Sequence, residues 1–407
     1  MKKYLFTIAT VALFASCAEK DSFKEVVSPD VEIGFSSYTG KLTRAENSPV
    51  TGDNKKHALE TYHSSFKVWG SKYVAKGTNP ETYDETQVFI GQVVNHQDAD
   101  ANANPAVSEG WVYTPIRFWD KSATKYDFYA AAPSDLSWSW DNDTKKLSLS
   151  NFAVDGATIA ASSSIDAAAV FGAKDLMISE DIPNHTTYTT DKVNLSFIHI
   201  LSRLNICVKK ATPILDDFVV KLESIKVYNM TSNGNFNEGE DDPDNSAEGG
   251  NHSRWLAAST PAKFTAGVGY ATETEVETTL NYVYQALAIP QEIEYESDIK
   301  LDGSNVSENS KPYLTIEYSI YEIDETTQQA KTNPVDSYSY TYNLADMFNG
   351  TNNEDNDDTN DDIDFNEGWM YTLNITINPV AIEFDADVYE WQPKDPVNVQ
   401  VPDLDNN

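Results

Sequence analysis

The residue types that most often carry chemistry are present but scattered. Six histidines occur, His57, His63, His96, His185, His199 and His252, and none stands in a His-Glu-x-x-His zinc motif or a Cys-His ligand set. His199 falls in phase with Val193, Leu195, Phe197 and Leu201, so it reads as a hydrogen-bonded core histidine and not as a general base. No Gly-x-Ser-x-Gly elbow and no Gly-rich phosphate loop is found. Carboxylate pairs suited to glycoside hydrolysis are abundant in so acidic a chain and single out no position. Two carboxylate runs suggest calcium chemistry: Glu238 to Glu248 holds six acidic residues and Glu354 to Glu367 holds eight, neither with a basic residue. A calcium loop needs Gly at its sixth position, and no frame around Asp355, Asp357, Asp358 or Asp362 supplies one, so solvated loops are the expectation. Trp138 and Trp140, two apart on one strand face, would suit sugar stacking, but packing under a loop accounts for them more simply. The residues thus predict no enzyme, no catalytic residue, no cofactor and no metal.

The elements that must position these residues are strands. Leu314, Ile316, Tyr318 and Ile320 alternate with polar residues, as do Tyr338, Tyr340, Tyr342 and Leu344, and again Leu373, Ile375 and Ile377. The polar loop 324–329 between the first two runs makes them antiparallel neighbours. Only Ile165 to Phe171 and Ala345 to Phe348 read as short helical turns. Many short strands between polar loops predict an all-β chain built of sandwiches. At 407 residues there is room for two domains or three, and 40% apolar with 12% aromatic content exceeds what a disordered chain carries. With 29 Lys and Arg against 64 Asp and Glu, the net charge of -35 excludes a nucleic-acid binder that depends on basic contacts.

The start of the chain is a signal peptide: Lys2 and Lys3, an apolar run from Tyr4 to Ala15, then small residues. That run is shorter than the ~20 residues needed to span a bilayer. Ser16 and Ala18 would serve an ordinary signal peptidase. Leu13-Phe14-Ala15-Ser16-Cys17 resembles a lipobox, in which Cys17 is lipidated, and the polar tether Glu19-Lys20-Asp21-Ser22 favours this second reading. Lipidation would leave Cys207 alone, with no intrachain disulfide, and its apolar neighbours Leu204, Ile206 and Val208 predict a buried thiol.

One strand pattern recurs: Val31-Glu32-Ile33-Gly34-Phe35, Val193-Asn194-Leu195-Ser196-Phe197 and Val380-Ala381-Ile382-Glu383-Phe384. Each places three large apolar side chains on one face. Their positions fit two domains that each open with such a strand, plus a last segment of the same kind. Near the C-terminus Val397, Val399 and Val401 alternate between Pro393, Pro396 and Pro402, which keep the segment out of a central sheet of its own. It reads as a strand available to another chain in preference to a frayed tail.

Together these segments resemble the fimbrillin family, the type V pilins of Gram-negative oral and gut anaerobes. The resemblance rests on Cys17; Phe35 with Thr43-Arg44-Ala45; Phe66-Lys67-Val68-Trp69-Gly70; Trp111-Val112-Tyr113-Thr114-Pro115 with Arg117 and Trp119; and Tyr126-Asp127-Phe128-Tyr129-Ala130. It continues through Val193 to Leu204, Leu287-Ala288-Ile289-Pro290-Gln291, Gly368 to Ile377 and Val388-Tyr389-Glu390-Trp391. It implies two transthyretin-like β-sandwich domains in tandem, exported as an outer-membrane lipoprotein for display in a fimbrium. It also implies that an arginine-specific protease cuts at Arg44-Ala45, a bond that would otherwise pass for ordinary loop, and that the first strand leaves and a strand of another subunit fills the groove.

The divisions expected are a signal peptide 1–17, a propeptide 18–44, sandwiches 45–190 and 191–391, and a donor tail 392–407. Loss of Val31, Ile33 and Phe35 would uncover side chains worth ~1.5 to 3 kcal/mol apiece and an edge open to strand addition. The implied partners are other fimbrial subunits, the processing protease and host or bacterial surface ligands, with the membrane touched only through the N-terminal lipid. Residues 1–44 hold six basic and five acidic groups, so the processed chain keeps 23 basic against 59 acidic, or -36. A polymer of such subunits needs inserted strands to overcome that repulsion. The competing reading is a solitary surface lipoprotein that binds glycans.

Overall fold

The computed structural model describes residues 31–39, 59–77, 82–103, 105–156, 175–180, 182–186, 191–211, 218–239, 254–294, 310–348, 363–377 and, for its backbone, 382–390. The described chain is all-β apart from the turn of helix Leu344–Phe348 and a 3-10 turn at Leu59–Thr61. Among the described residues no helix is long and apolar enough to cross a membrane.

An eight-stranded sheet holds most of the first half. Its order is Phe35–Thr39, Val193–His199, Met177–Ser179, Lys125–Ala132, Ser65–Ala75, Tyr83–Gln97 and Gly110–Val112, with Ile182–Thr186 paired beside Lys125–Ala132. The strand Lys125–Ala132 is buried almost throughout. Its Tyr126, Phe128, Ala130 and Ala132 face one core while Tyr129 and Ala131 face another, because successive side chains point to opposite sides. Such a strand reads as a continuous apolar run instead of an alternation. The pairing of Ser65–Ala75 with Tyr83–Gln97 shifts register on either side of Gly70. Opposite that shift Gly91 adopts φ 63°, a conformation glycine tolerates without a Cβ penalty. Bulges bend and twist the strands that contain them.

The second half forms a sandwich. One sheet runs Asn281–Ala288, Ser202–Lys210, Trp369–Ile377 and Ile382–Glu390; the other runs Val268–Tyr270, Phe218–Tyr228, Tyr313–Glu322 and Asp336–Asn343. Leu204, Ile206 and Leu373 from the first sheet share a core with Val220, Ile225, Leu314 and Ile316 from the second. Tyr313–Glu322 and Asp336–Asn343 are antiparallel neighbours, as the alternation required, and the helical turn follows directly. A further sheet, Trp255–Ala257, Asn233–Asn237, Lys146–Ala153 and Ser139–Asp141, joins strands from both halves over a third core that includes Trp69, Tyr129, Phe236 and Met370.

Three sequence expectations need restating. Val193–His199, expected to open the second sandwich from residue 191, hydrogen-bonds within the first sheet. Glu238, expected in a solvated loop, is buried and accepts a hydrogen bond from the Leu147 backbone N–H at 2.8 Å. The end of the second acidic run is structured too. Ile363–Phe365 is a strand paired with Gln291–Ile293, and Glu367 accepts a hydrogen bond from Arg254 Nε at 2.8 Å. Each carboxylate is offset by a donor from a remote part of the chain. The turn expected at Ile165 to Phe171 lies outside the described residues.

Candidate functional site

Segment 31–39 carries the geometry of most consequence. Its second half, Phe35–Thr39, lies parallel to Val193–His199, in register from Phe35 opposite Val193 to Thr39 opposite Phe197. Val193 N–H also donates to Gly34 C=O at 2.8 Å. Its first half pairs elsewhere. Ile33 N–H donates to Arg117 C=O at 2.9 Å, Trp119 N–H donates to Val31 C=O at 2.9 Å, and Glu32 and Phe118 form an antiparallel bridge. One short segment therefore bridges the strand Val193–His199 and residues 117–119, which follow the last strand of the sheet.

Its side chains plug the interior. Ile33 and Phe35 are 1% and 0% exposed, and Val31 packs half-buried against the same core. All three turn inward, as a period of two demands. The Phe35 ring meets Phe89 at 5.4 Å, Tyr113 at 5.8 Å, Phe128 at 6.0 Å and Phe66 at 6.3 Å. Edge-on arrangements such as those with Phe89 and Phe128 are favourable for aromatic quadrupoles. These partners lie on the fourth to sixth strands of the sheet and just beyond its seventh, so Phe35 bridges the core from wall to wall. Tyr113 adds a polar clasp, its hydroxyl donating to Ile33 C=O at 2.7 Å. Burial pushes the Tyr113 hydroxyl above the usual tyrosine pKa and keeps the proton it donates. Without segment 31–39 the backbone groups of Arg117, Trp119 and Val193 and an aromatic trough would be uncovered together.

This is a strand-shaped apolar slot with hydrogen-bonding walls on both sides. The sequence model of the fimbrillin-like family matches residues 72–391. The chain belongs to the fimbrillin-like family. Among solved structures it is similar to a fimbrial protein from Bacteroides vulgatus, at 15% identity and a TM-score of 0.49, covering 89% of this chain and 99% of that one. It is also similar to a candidate cell adhesion protein from Bacteroides uniformis, at 13% identity and a TM-score of 0.39, covering 89% and 98%. No curated protein matches.

Of the residues the sequence marked out, the structure gathers Val31, Ile33 and Phe35 into this slot. Cys17, Arg44, Ala45, Val397, Val399 and Val401 lie outside the described residues. Phe89 and the Arg117 and Trp119 backbones were not anticipated as partners, since nothing local marks a contact made more than fifty residues away. The other candidates are packed into the fold. His199 is buried, with Nδ1 2.7 Å from Asp175 Oδ2, and so is Cys207. Trp138 is buried, its indole donating to Pro133 C=O at 3.0 Å, and Trp140 stacks on Trp69 at 6.1 Å and leans on Tyr129 at 4.6 Å. Trp138 is buried in the third core and Trp140 packs half-buried against it.

Proposed function

We propose that the chain is a fimbrial or adhesive subunit displayed at the cell surface and assembled by strand replacement. Family membership supports the fimbrial reading, and the double pairing of segment 31–39 with the burial of Ile33 and Phe35 supports the assembly step. The precursor is a lipoprotein anchored through Cys17. Cleavage between Arg44 and Ala45 frees the segment that closes the first sheet, and Val397, Val399 and Val401 of another subunit then occupy the trough. Alternate valines suit the slot, since each inward side chain replaces an apolar one while the backbone renews the ladder. The first sandwich ends between His199 and Ser202, a division supported by the different sheets to which Val193–His199 and Ser202–Lys210 belong.

The test uses the purified chain with and without residues 392–407, each cut by an arginine-specific protease. Detergent-resistant ladders from the full-length form, lost on truncation, are expected. A cut, full-length protein that stays monomeric and binds a polysaccharide would overturn the proposal in favour of a solitary glycan-binding lipoprotein.

A further inference from the structure

Beside the closure of the first sheet, three metal-ligating side chains converge. Glu60 belongs to the turn Leu59–Thr61, His96 to the strand Tyr83–Gln97, and Glu109 precedes the strand Gly110–Val112. One ligand atom from each lies within 4.8 Å of the other two. In the sequence they stand 36 and 13 residues apart, spacings that match no metal motif. Only the fold brings them together.

Backbone hydrogen bonds, a ring contact and a side-chain hydrogen bond hold the elements that carry these residues. His96 N–H donates to Ser64 C=O at 2.8 Å, which fixes the strand to the chain leaving the turn. The turn is closed by hydrogen bonds from the Tyr62 and His63 N–H groups to Leu59 C=O, both at 2.8 Å. His96 and Trp111 sit opposite each other in the ladder, and their rings meet edge to face at 5.1 Å. That contact limits rotation of an imidazole that is only 12% exposed. Gln97 Nε2 donates to Ser108 C=O at 3.2 Å and steadies the segment that carries Glu109. Asp98 Oδ1 lies 3.6 Å from His96 Nδ1, close enough to orient the ring or to enter the coordination shell.

We infer that Glu60, His96 and Glu109 form a binding site for a divalent transition cation, Zn2+ by the character of its donors. One imidazole and two carboxylates make a borderline set that suits zinc, whereas calcium takes oxygen alone. Ligand atoms around tetrahedral zinc stand about 3.3 to 3.6 Å apart, given bond lengths of ~2.0 to 2.2 Å, so small side-chain rotations close the set. The ion ties the turn that follows residues 40–58 to the hairpin whose continuation, Tyr113 to Trp119, docks the closing segment. It would therefore brace the mouth of the trough whether or not segment 31–39 is in place.

The full chain, stripped of metal with a chelator, is titrated with Zn2+ by calorimetry and with Co2+ by visible absorption, alongside His96→Ala and Glu109→Gln. The expected result is one saturable equivalent, the absorption of tetrahedral Co2+, and a rise of about 5 °C in melting temperature with excess Zn2+. Either substitution weakens binding at least tenfold and removes the rise. Glu109 is exposed, so its substitution tests the site even if the His96 variant folds poorly. Binding of unchanged affinity and stoichiometry in both variants would assign the metal to scattered carboxylates and overturn the inference, as would the absence of the cobalt spectrum. Ladder formation is a separate readout, so failure here leaves strand replacement standing.

Discussion

The first and last strands of the described chain share a sequence pattern and are used in opposite ways. Val31-Glu32-Ile33-Gly34-Phe35 leads into a parallel strand whose segment pairs with two different partners and seals a curled sheet. Val380-Ala381-Ile382-Glu383-Phe384 leads into Ile382–Glu390, the end strand of an open four-stranded sheet, in a nine-pair antiparallel ladder with Trp369–Ile377. The final strand forms an antiparallel ladder with its near neighbour in sequence and extends the sheet by one strand. The first strand reaches more than 150 residues to Val193 and completes an enclosure. Both are end strands of their sheets, but only the first also pairs with residues 117–119 and places Ile33 and Phe35 inside a core. Under the proposed assembly, the N-terminal segment is the one whose removal would leave a receptor.

Substitutions at the two cores sharpen the contrast. In the uncut chain Phe35→Ala is expected to cost about 3 to 5 kcal/mol in chemical denaturation, since a fully buried ring vanishes from the middle of a core. Leu373→Ala, equally buried in the second sandwich, is expected to cost about 2 to 5 kcal/mol. The two variants should part when a peptide of residues 392–407 is added after cleavage. The peptide should raise the stability of cut Phe35→Ala protein as much as that of cut wild type, because the altered residue has left. At a hundredfold excess over its Kd the gain is about 2.7 kcal/mol. It should leave the Leu373→Ala deficit unrepaired. A peptide that stabilises the uncut chain equally would show that the slot was never occupied by segment 31–39.

Smaller effects probe the rim of the closure. Tyr113→Phe removes the hydroxyl that clasps Ile33 and should cost about 0.5 to 1.5 kcal/mol before cleavage and less after it, when only its hydrogen bonds with the Arg117 backbone remain. Asp120 lies next to Trp119, and the hydrogen bond from Lys72 Nζ at 2.6 Å is the main cause that holds its carboxyl at about 2. A carboxylate whose folded pKa is depressed adds stability that is fully present above its unfolded value near 3.8 and is lost as pH falls toward 2. With a side chain 31% exposed the contribution is screened to about 1 kcal/mol or less. Asp120→Asn should accordingly lower stability slightly at pH 7 and by much less at pH 2, as read from denaturation curves at both.

Much of the fold was legible in local pattern. Alternation at Leu314 to Ile320 and Tyr338 to Leu344 gave the two strands and their pairing, because a short polar loop leaves adjacent strands few other partners. Phase alone placed His199 inside. The sequence also drew attention to Val31, Ile33 and Phe35, since three inward residues define a face. It could not say what that face meets: alternation states which side chains point together, not which strand lies alongside. Val193–His199 shows the limit: expected to open the second sandwich, it pairs with the remote Phe35–Thr39 and with Met177–Ser179. Glu238 and Glu367 show another. A run of carboxylates looks solvated until the fold brings the Leu147 N–H or Arg254 to meet one of them. The three ligands proposed for zinc failed to register for the same reason.

Hydrogen exchange at the Val193 and Trp119 amides tests the central claim most directly, since both donate to segment 31–39 in the uncut chain. These amides should be protected in the precursor, exchange freely in the cleaved monomer, and regain protection in the polymer or with the 392–407 peptide bound. Amides that stay protected in the cleaved monomer, with residues 31–39 still seated, would contradict the account.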